Sequence, residues 1–418
     1  MAERCLQRGD TWLAGQYRHA ALLSFHSIER WLRNDGDWAG SYFVTKNHFD
    51  PSLRVGYQTA SQYSNYNGSL MFHLAEAWQA RRSNITEHPS PSEIGGYAIT
   101  TDPAYDSVFA NAGGMQMQAN LRGETAPTSG NWWTPLGVVR FARTGWDTRL
   151  GPSDGALTQV GGVTYAPEFL ENGRWLHMAD LSKRYQGVWS VQFVHPLIVR
   201  CAIEYRPKAG QSGPAFRDEF IITPDGVLST VKPESPGSTQ WGVTWPILEN
   251  DGAPLERSGG AGRRSVGYRH TLNQQNFLSI EKSEMTEEPL ILSTYGDLRP
   301  VRVQSPRPEQ HTFIYPRHGG DSDPQAVRDS LVLTPDGFRS VLGRISGTIY
   351  VGRTAAGGVG KQIHLDGDGV PEVTFSEECG FIIQLESGMP AAIEADRDVD
   401  ARIGNKVVHL KRHRPQTL

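Results

Sequence analysis

Apolar residues recur at three- and four-residue spacing only near the start of the chain. Between Asp10 and about Asn34, Leu22, Phe25, Ile28 and Leu32 form one stripe, with Arg30 and Arg33 near its end and Asn34-Asp35-Gly36 as a stop. This pattern predicts a long amphipathic helix. A second helix is expected after a polar stretch, because Leu70, Leu74 and Trp78 fall one turn apart beside Met71 and Ala75. Asn67-Gly68-Ser69 can cap it, and it should end near Ser83-Asn84. The run Glu87-His88-Pro89-Ser90-Pro91-Ser92 then breaks any helix and reads as a linker.

After residue 93 the period changes to short β-type runs. Gly137 to Phe141, Val188 to Val194 and Leu197 to Tyr205 read as antiparallel strands separated by turn residues. Phe220-Ile221-Ile222-Thr223-Pro224-Asp225-Gly226-Val227-Leu228 is echoed by Leu331-Val332-Leu333-Thr334-Pro335-Asp336-Gly337-Phe338. Each should be a strand, a tight turn and a return strand, since Pro presets one turn angle and Asp-Gly tolerates the next. Beyond about Arg344 the runs are shorter, as in Thr348 to Val351 and Gly380 to Leu385. The expected fold is therefore mainly β. A helical segment (residues 1–92, with a polar loop at 41–68) precedes a large antiparallel β-sandwich (93–344) and a small C-terminal β-sheet (345–418). A lone helix pair cannot bury an apolar face by itself. Either it packs on the β region or it ends a longer helical array, and the second is the favoured expectation.

Composition narrows the function. The 418 residues are 38% hydrophobic with a net charge of -4 and scattered Lys and Arg, which argues for two or three globular domains and against nucleic acid as a partner. No stretch is long and apolar enough to span a membrane, and the first residues lack a signal-peptide core. The chain as written is expected to be cytoplasmic, or periplasmic or secreted if a leader has been lost. Cys5, Cys201 and Cys379 are too few and too dispersed for a disulfide framework and read as buried thiols. Lys411 to Arg414 reads as a solvated tail. No P-loop, dinucleotide fingerprint or GxSxG elbow is present.

The densest chemistry lies between Lys46 and Gly68. Lys46, Asn47, His48, Arg54, Tyr57, Gln62, Tyr63, Asn65, Tyr66 and Asn67 crowd into a stretch with no apolar period, so packing alone does not account for them. A structural reading makes the Tyr residues wedges and the Asn residues turn and cap positions. A second stretch, Asn131-Trp132-Trp133-Thr134-Pro135 followed by Arg140, Arg143, Trp146, Asp147 and Arg149, suits an anionic glycan: aromatic faces stack on sugar rings and Arg pairs with carboxylates. The same Trp residues also suit core packing, since the chain holds 11 of them.

The order of helix, polar Tyr/Asn loop, helix, linker and β-sandwich resembles the junction in polysaccharide lyases that join an (α/α) toroid to antiparallel sheets, the chondroitin AC, alginate and heparinase II/III-type lyases. The resemblance spans the layout of the whole chain, and its residue-level content is confined to 46–67. It implies that the helices are the remnant of a toroid and that the substrate is a uronate-containing polysaccharide. It also implies a Tyr, a His, an Asn and an Arg around the sugar: Tyr63 or Tyr66, His48, Asn65 or Asn47, and Arg54. Lys46, Asn47, Tyr57, Gln62, Asn67, Trp132, Trp133, Arg140, Arg143 and Trp146 are the expected substrate contacts. An upstream helical domain or a homo-oligomer is a further expected partner.

A glycoside hydrolase on acidic glycans and a non-catalytic glycan-binding module are the alternatives. For the hydrolase, Asp37, Asp50 and Glu76 lie near the loop, but no carboxylate pair stands out. No cofactor is expected. Some heparinase-type relatives carry a structural metal in the β domain, which stays open here, but His177, His195, His270, His311, His318 and His364 form no short ligand pair. Asp366-Gly367-Asp368-Gly369 reads as a hairpin turn more readily than as a calcium loop.

Overall fold

The computed structural model describes residues 1–29, 64–79, 81, 84–101, 106–123, 135–144, 163–234, 240–250, 256–260, 265–270, 273–291, 297–318 and 323–418. At the N-terminus α1 (Ala2–Gln7) and α2 (Thr11–Glu29) pack on each other around Cys5, Ala14 and Ile85. The next described helix, α3 (Ser64–Gln79), starts earlier than its sequence suggests. Asn67, Gly68 and Ser69 lie inside it instead of capping it. Residues of low helix propensity cost at most about 1 kcal/mol each inside a helix, which is tolerable once the helix is nucleated upstream. A short α4 (Pro91–Ile94) follows, closed by a capping box from Ser90 and Glu93.

Among the described residues, 97–318 form mainly antiparallel sheet, in two facing layers. One layer contains a four-stranded sheet of β1 (Tyr97–Thr100), β2 (Ser107–Ala112), β3 (Met115–Asn120) and β4 (Gly137–Arg143) in sequential order. The bridge Val138–Tyr165 joins it to a five-stranded sheet. That sheet is built from β5 (Ala166–Glu171), β6 (Arg174–His177), β11 (Trp241–Asn250), β15 (Glu284–Glu287) and β16 (Asp297–Gln304), in the order β15-β16-β11-β5-β6. The other layer is eight-stranded. It comprises β7 (Tyr185–His195), β8 (Ile198–Pro207), β9 (Phe216–Thr223), β10 (Gly226–Pro233), β12 (Glu256–Gly260), β13 (Ser265–His270), β14 (Asn273–Ser279) and β17 (Gln310–His318), in the order β12-β13-β14-β17-β10-β9-β8-β7.

Strand alternation sends one face of each sheet into a shared core. Met117 and Phe141 from the four-stranded sheet, Phe169, Val243 and Trp245 from the five-stranded sheet, and Ile203, Phe220 and Val227 from the eight-stranded sheet meet there, all at most 1% exposed. A polar ladder crosses this core: the Tyr165 hydroxyl donates to Ser229 Oγ at 2.7 Å, and Ser229 Oγ donates to Asp218 Oδ1 at 2.6 Å. Burial pushes the Asp218 carboxyl well above its usual range.

The middle of the eight-stranded sheet is covered on its other face as well. Leu228, Leu278, Phe313 and Tyr315 pack there against Val327 of α5 (Pro324–Ser330) and against Phe338, Ile345 and Tyr350. These last three belong to a C-terminal sheet made of β18 (Val332–Thr334), β19 (Gly337–Arg339), β20 (Gly343–Ser346), β21 (Ile349–Gly352), β22 (Ala355–Ile363), β23 (Val373–Glu386), β24 (Met389–Ala395), β25 (Val399–Ile403), β26 (Lys406–Leu410) and β27 (Gln416–Thr417). One strand departs from the shorter runs expected beyond about Arg344, namely β23. Its 14 residues bend at a register shift and pair with β22, β24 and β25, so one strand serves two parts of the sheet.

Both Thr-Pro-Asp-Gly runs form hairpins with matching backbones: φ is 150° at Gly226 and 156° at Gly337. A Cβ on Gly226 would stand 2.6 Å from the Ile314 carbonyl oxygen and 2.9 Å from Tyr315 Cβ. Gly226→Ala is therefore expected to cost more than about 1 kcal/mol of unfolding free energy in urea titration, and an unchanged midpoint would contradict it.

Candidate functional site

Of the sequence-predicted residues, His48, Arg54 and Tyr63 lie outside the described residues, as do Lys46, Asn47, Tyr57, Gln62, Trp132, Trp133 and Trp146. Asn65, Tyr66 and Asn67 fall in the first turns of α3, with their side chains outside the described set. Arg140 and Arg143 are half-buried on β4. Arg143 Nη1 donates to the Pro224 carbonyl at 3.0 Å, so this guanidinium reaches the first Pro-Asp-Gly turn.

The helical segment that leads to this region is tied to the linker. His19 on α2 places Nδ1 3.0 Å from Glu87 and Nε2 3.1 Å from Glu93. Its pKa is raised, mainly through the Glu87 hydrogen bond, against a smaller opposing effect of burial. Gln16 donates to the Pro89 carbonyl at 3.1 Å, and Trp12 stacks on His88 with ring centroids 4.1 Å apart. These contacts fix where α2 stands relative to the first strands.

The strongest cluster of titratable groups among the described residues is on the five-stranded sheet. Asn172 and Gly173 both take positive φ (52° and 76°), the two-residue hairpin turn whose twist matches the strands, and this sets Glu168 of β5 opposite His177 of β6. Phe169 and Val243 of this sheet point into the core, so alternation turns Glu168, Thr244 and Arg302 to the opposite face. There Glu168 is fully buried. His177 Nδ1 lies 3.1 Å from Glu168 Oε2 and 3.2 Å from Thr244 Oγ1, and its Nε2 lies 2.9 Å from Glu288 Oε2. Arg302 Nη1 lies 2.8 Å from Glu288 and 4.0 Å from Glu168, with its guanidinium 4.2 Å above the Trp175 ring. Glu168 Oε1 meets no hydrogen-bond donor.

Burial alone would lower the His177 pKa. The hydrogen bonds and charges of Glu168 and Glu288 outweigh it and raise the imidazole to about 10. Burial likewise opposes ionisation of Glu288, yet His177 and Arg302 hold that carboxyl below its usual range. The group thus sets the carboxyl groups of Glu168 and Glu288 around His177, with the Arg302 guanidinium beside them. Glu168, His177 and Glu288 place ligand atoms within 4.8 Å of one another, the spacing a metal would need. With Arg302 supplying positive charge at hydrogen-bond distance from Glu288, the same side chains form an ion-pair clamp. Asp366, Asp368 and Glu372 also converge, on the exposed turn between β22 and β23. Asp366 and Asp368 accept from the backbone N–H groups of Asp368 and Val370, and Glu372 from that of Leu365, as in a hairpin turn.

No protein-family model matches the chain, and no curated protein matches its sequence. Among solved structures, the chain overlaps in part with a 4-alpha-glucanotransferase from Thermococcus litoralis, at 10% identity and a TM-score of 0.34, covering 55% of this chain and 40% of that one. A mutant heparan sulfate lyase from Pedobacter heparinus matches at 10% identity and a TM-score of 0.31, covering 82% and 46%. The Streptomyces coelicolor A3 chondroitin AC lyase in complex with chondroitin sulphate matches at 9% identity and a TM-score of 0.37, covering 81% and 47%. The chain spans less than half the length of each of the three. All three are carbohydrate-active enzymes by name, and at scores and identities this low the overlap assigns neither a family nor an activity.

Proposed function

We propose that the chain is a carbohydrate-active enzyme that cleaves a uronate-containing glycan by β-elimination. The observation that supports this reading is the run from Lys46 to Asn67, rich in Tyr, Asn, His and Arg, which leads directly into α3 and from there into an antiparallel β-sandwich.

The chemistry gives each residue type a reason. The C5 proton of a uronate is weakly acidic until its carboxylate is neutralised by donors, which Asn65 or Asn47, His48 and Arg54 would supply. Tyr63 or Tyr66, ionised to the phenolate because those cations make its phenol more acidic, takes the C5 proton as C4=C5 forms and the C4–O bond breaks. The same phenol then returns a proton to the departing glycosidic oxygen, so the step balances without an outside reagent. Arg140, Arg143, Trp132, Trp133 and Trp146 would hold neighbouring sugars.

Incubation with alginate, glucuronan, chondroitin and heparan-type polymers tests the reading, with the ultraviolet absorbance of a 4,5-unsaturated uronate as readout. New absorbance on at least one polymer is the expected result. Reducing ends without unsaturation would replace elimination by hydrolysis, and silence on every polymer would remove the proposal.

A further inference from the structure

A second site lies on the far side of the sandwich from its shared core. Between the outer face of the eight-stranded sheet and the β18–β19 turn opens a cavity of about 340 Å³, within the range of small-molecule sites. Its floor is set by register. Glu219, Thr230 and His311 pair side by side across β9, β10 and β17, on the face opposite the core residues Phe220, Val231 and Thr312.

His311 is held as a working imidazole would be. One Glu281 oxygen bonds its Nδ1, and the other accepts its backbone N–H at 3.0 Å. Glu281 is 5% exposed and His311 8%, so neither is a freely moving surface group. With Nδ1 engaged by Glu281, Nε2 is the ring nitrogen left for a ligand. The nearest carboxylate oxygen there, on Glu309, is 3.6 Å away, beyond good hydrogen-bond distance. Two of the lining residues, Arg200 and Thr334, each bury a polar atom (Nε and Oγ1) that has no hydrogen-bond partner.

The geometry points to this cavity as a binding site for a neutral or uronic sugar unit, with the Glu281-oriented His311 hydrogen-bonding one of its hydroxyls. The wall charges decide the class. Arg200, Arg217 and Lys232 face Glu219, Glu309 and Asp336, so the cavity has donors and acceptors in alternation but no net field to hold a bare anion. Ile221, Leu228 and Leu333 offer an apolar flank for the C–H face of the ring. Vicinal hydroxyls on such a ring match that alternation.

The test uses the full chain with labelled histidine, following the His311 Nε2 resonance, which is assigned by its loss in His311→Asn. Methyl glucoside and glucuronate are the probes, with inorganic sulfate as the anion control. The expected result is a saturable shift with a sugar and none with sulfate, weakened about tenfold in dissociation constant by Thr230→Val or Glu309→Gln. These two variants also serve if His311→Asn fails to fold. An unchanged resonance at high sugar concentration, or a shift driven equally by sulfate, would overturn the proposal. The proposal makes no use of Tyr63 or Tyr66, so the shift should persist in the Tyr63→Phe, Tyr66→Phe double variant.

Discussion

Replacing His177 by Ala is expected to lower the unfolding free energy by about 3–5 kcal/mol, the range seen when one partner of a buried ion pair is removed. The cause is what remains. Glu168 is fully buried with one oxygen already lacking a donor, and Arg302 at 4.0 Å is too far to replace the imidazolium. Removing Glu168 and His177 together in favour of Leu should cost much less, because no charge is then stranded. The same clamp sets a pH dependence. The His177 pKa rises from 6.5 in the unfolded chain to about 10 in the folded one, so its stabilisation is complete below pH 6.5 and is lost as pH climbs through 10. Urea midpoints measured from pH 6 to 10 should fall in the native chain and run flatter in His177→Ala. Parallel curves for the two proteins would show that the imidazolium is not what holds this face.

The second large effect concerns the phenols. If elimination is the reaction, one of Tyr63→Phe and Tyr66→Phe should lower kcat by about 10²–10⁴, the usual worth of a positioned acid–base group. The other should change it little. Phe preserves the ring, so a loss of rate with KM nearly unchanged separates proton transfer from packing or binding. Unsaturated product appearing at the native rate in both single variants and in the double variant would rule out a tyrosine base in this segment.

Local signals made much of the β region legible. The two Thr-Pro-Asp-Gly runs fold as hairpins, the strand read at Val188 to Val194 lies within β7, and the one read at Leu197 to Tyr205 lies in β8 from Ile198 on. The Glu168–His177 pair was legible too. Glu-Phe-Leu-Glu-Asn-Gly-Arg-Trp-Leu-His counts back from Asn-Gly to that pairing, and attention to dispersed histidines alone misses it. Glu288 and Arg302 belong to a different case, because only the order β15-β16-β11-β5-β6 brings them to His177, across more than a hundred residues of chain. No local period encodes such a meeting. The Glu281–His311 pair is of the same kind, joined by the pairing of β14 with β17. The start of α3 was misjudged because Asn-Gly resembles a cap whether or not a helix has already begun upstream.

The eight-stranded sheet has a dry patch on each side, one against the sandwich core and one against α5 and the start of the C-terminal sheet. The Tyr350 hydroxyl bonded to Asp225 and the Arg200 guanidinium 2.7 Å from the Gly347 carbonyl fasten that second contact. The C-terminal sheet is consequently not a portable module. Recombination that transplanted it would carry off a wall of its neighbour's interior, so these sheets are inherited together or not at all.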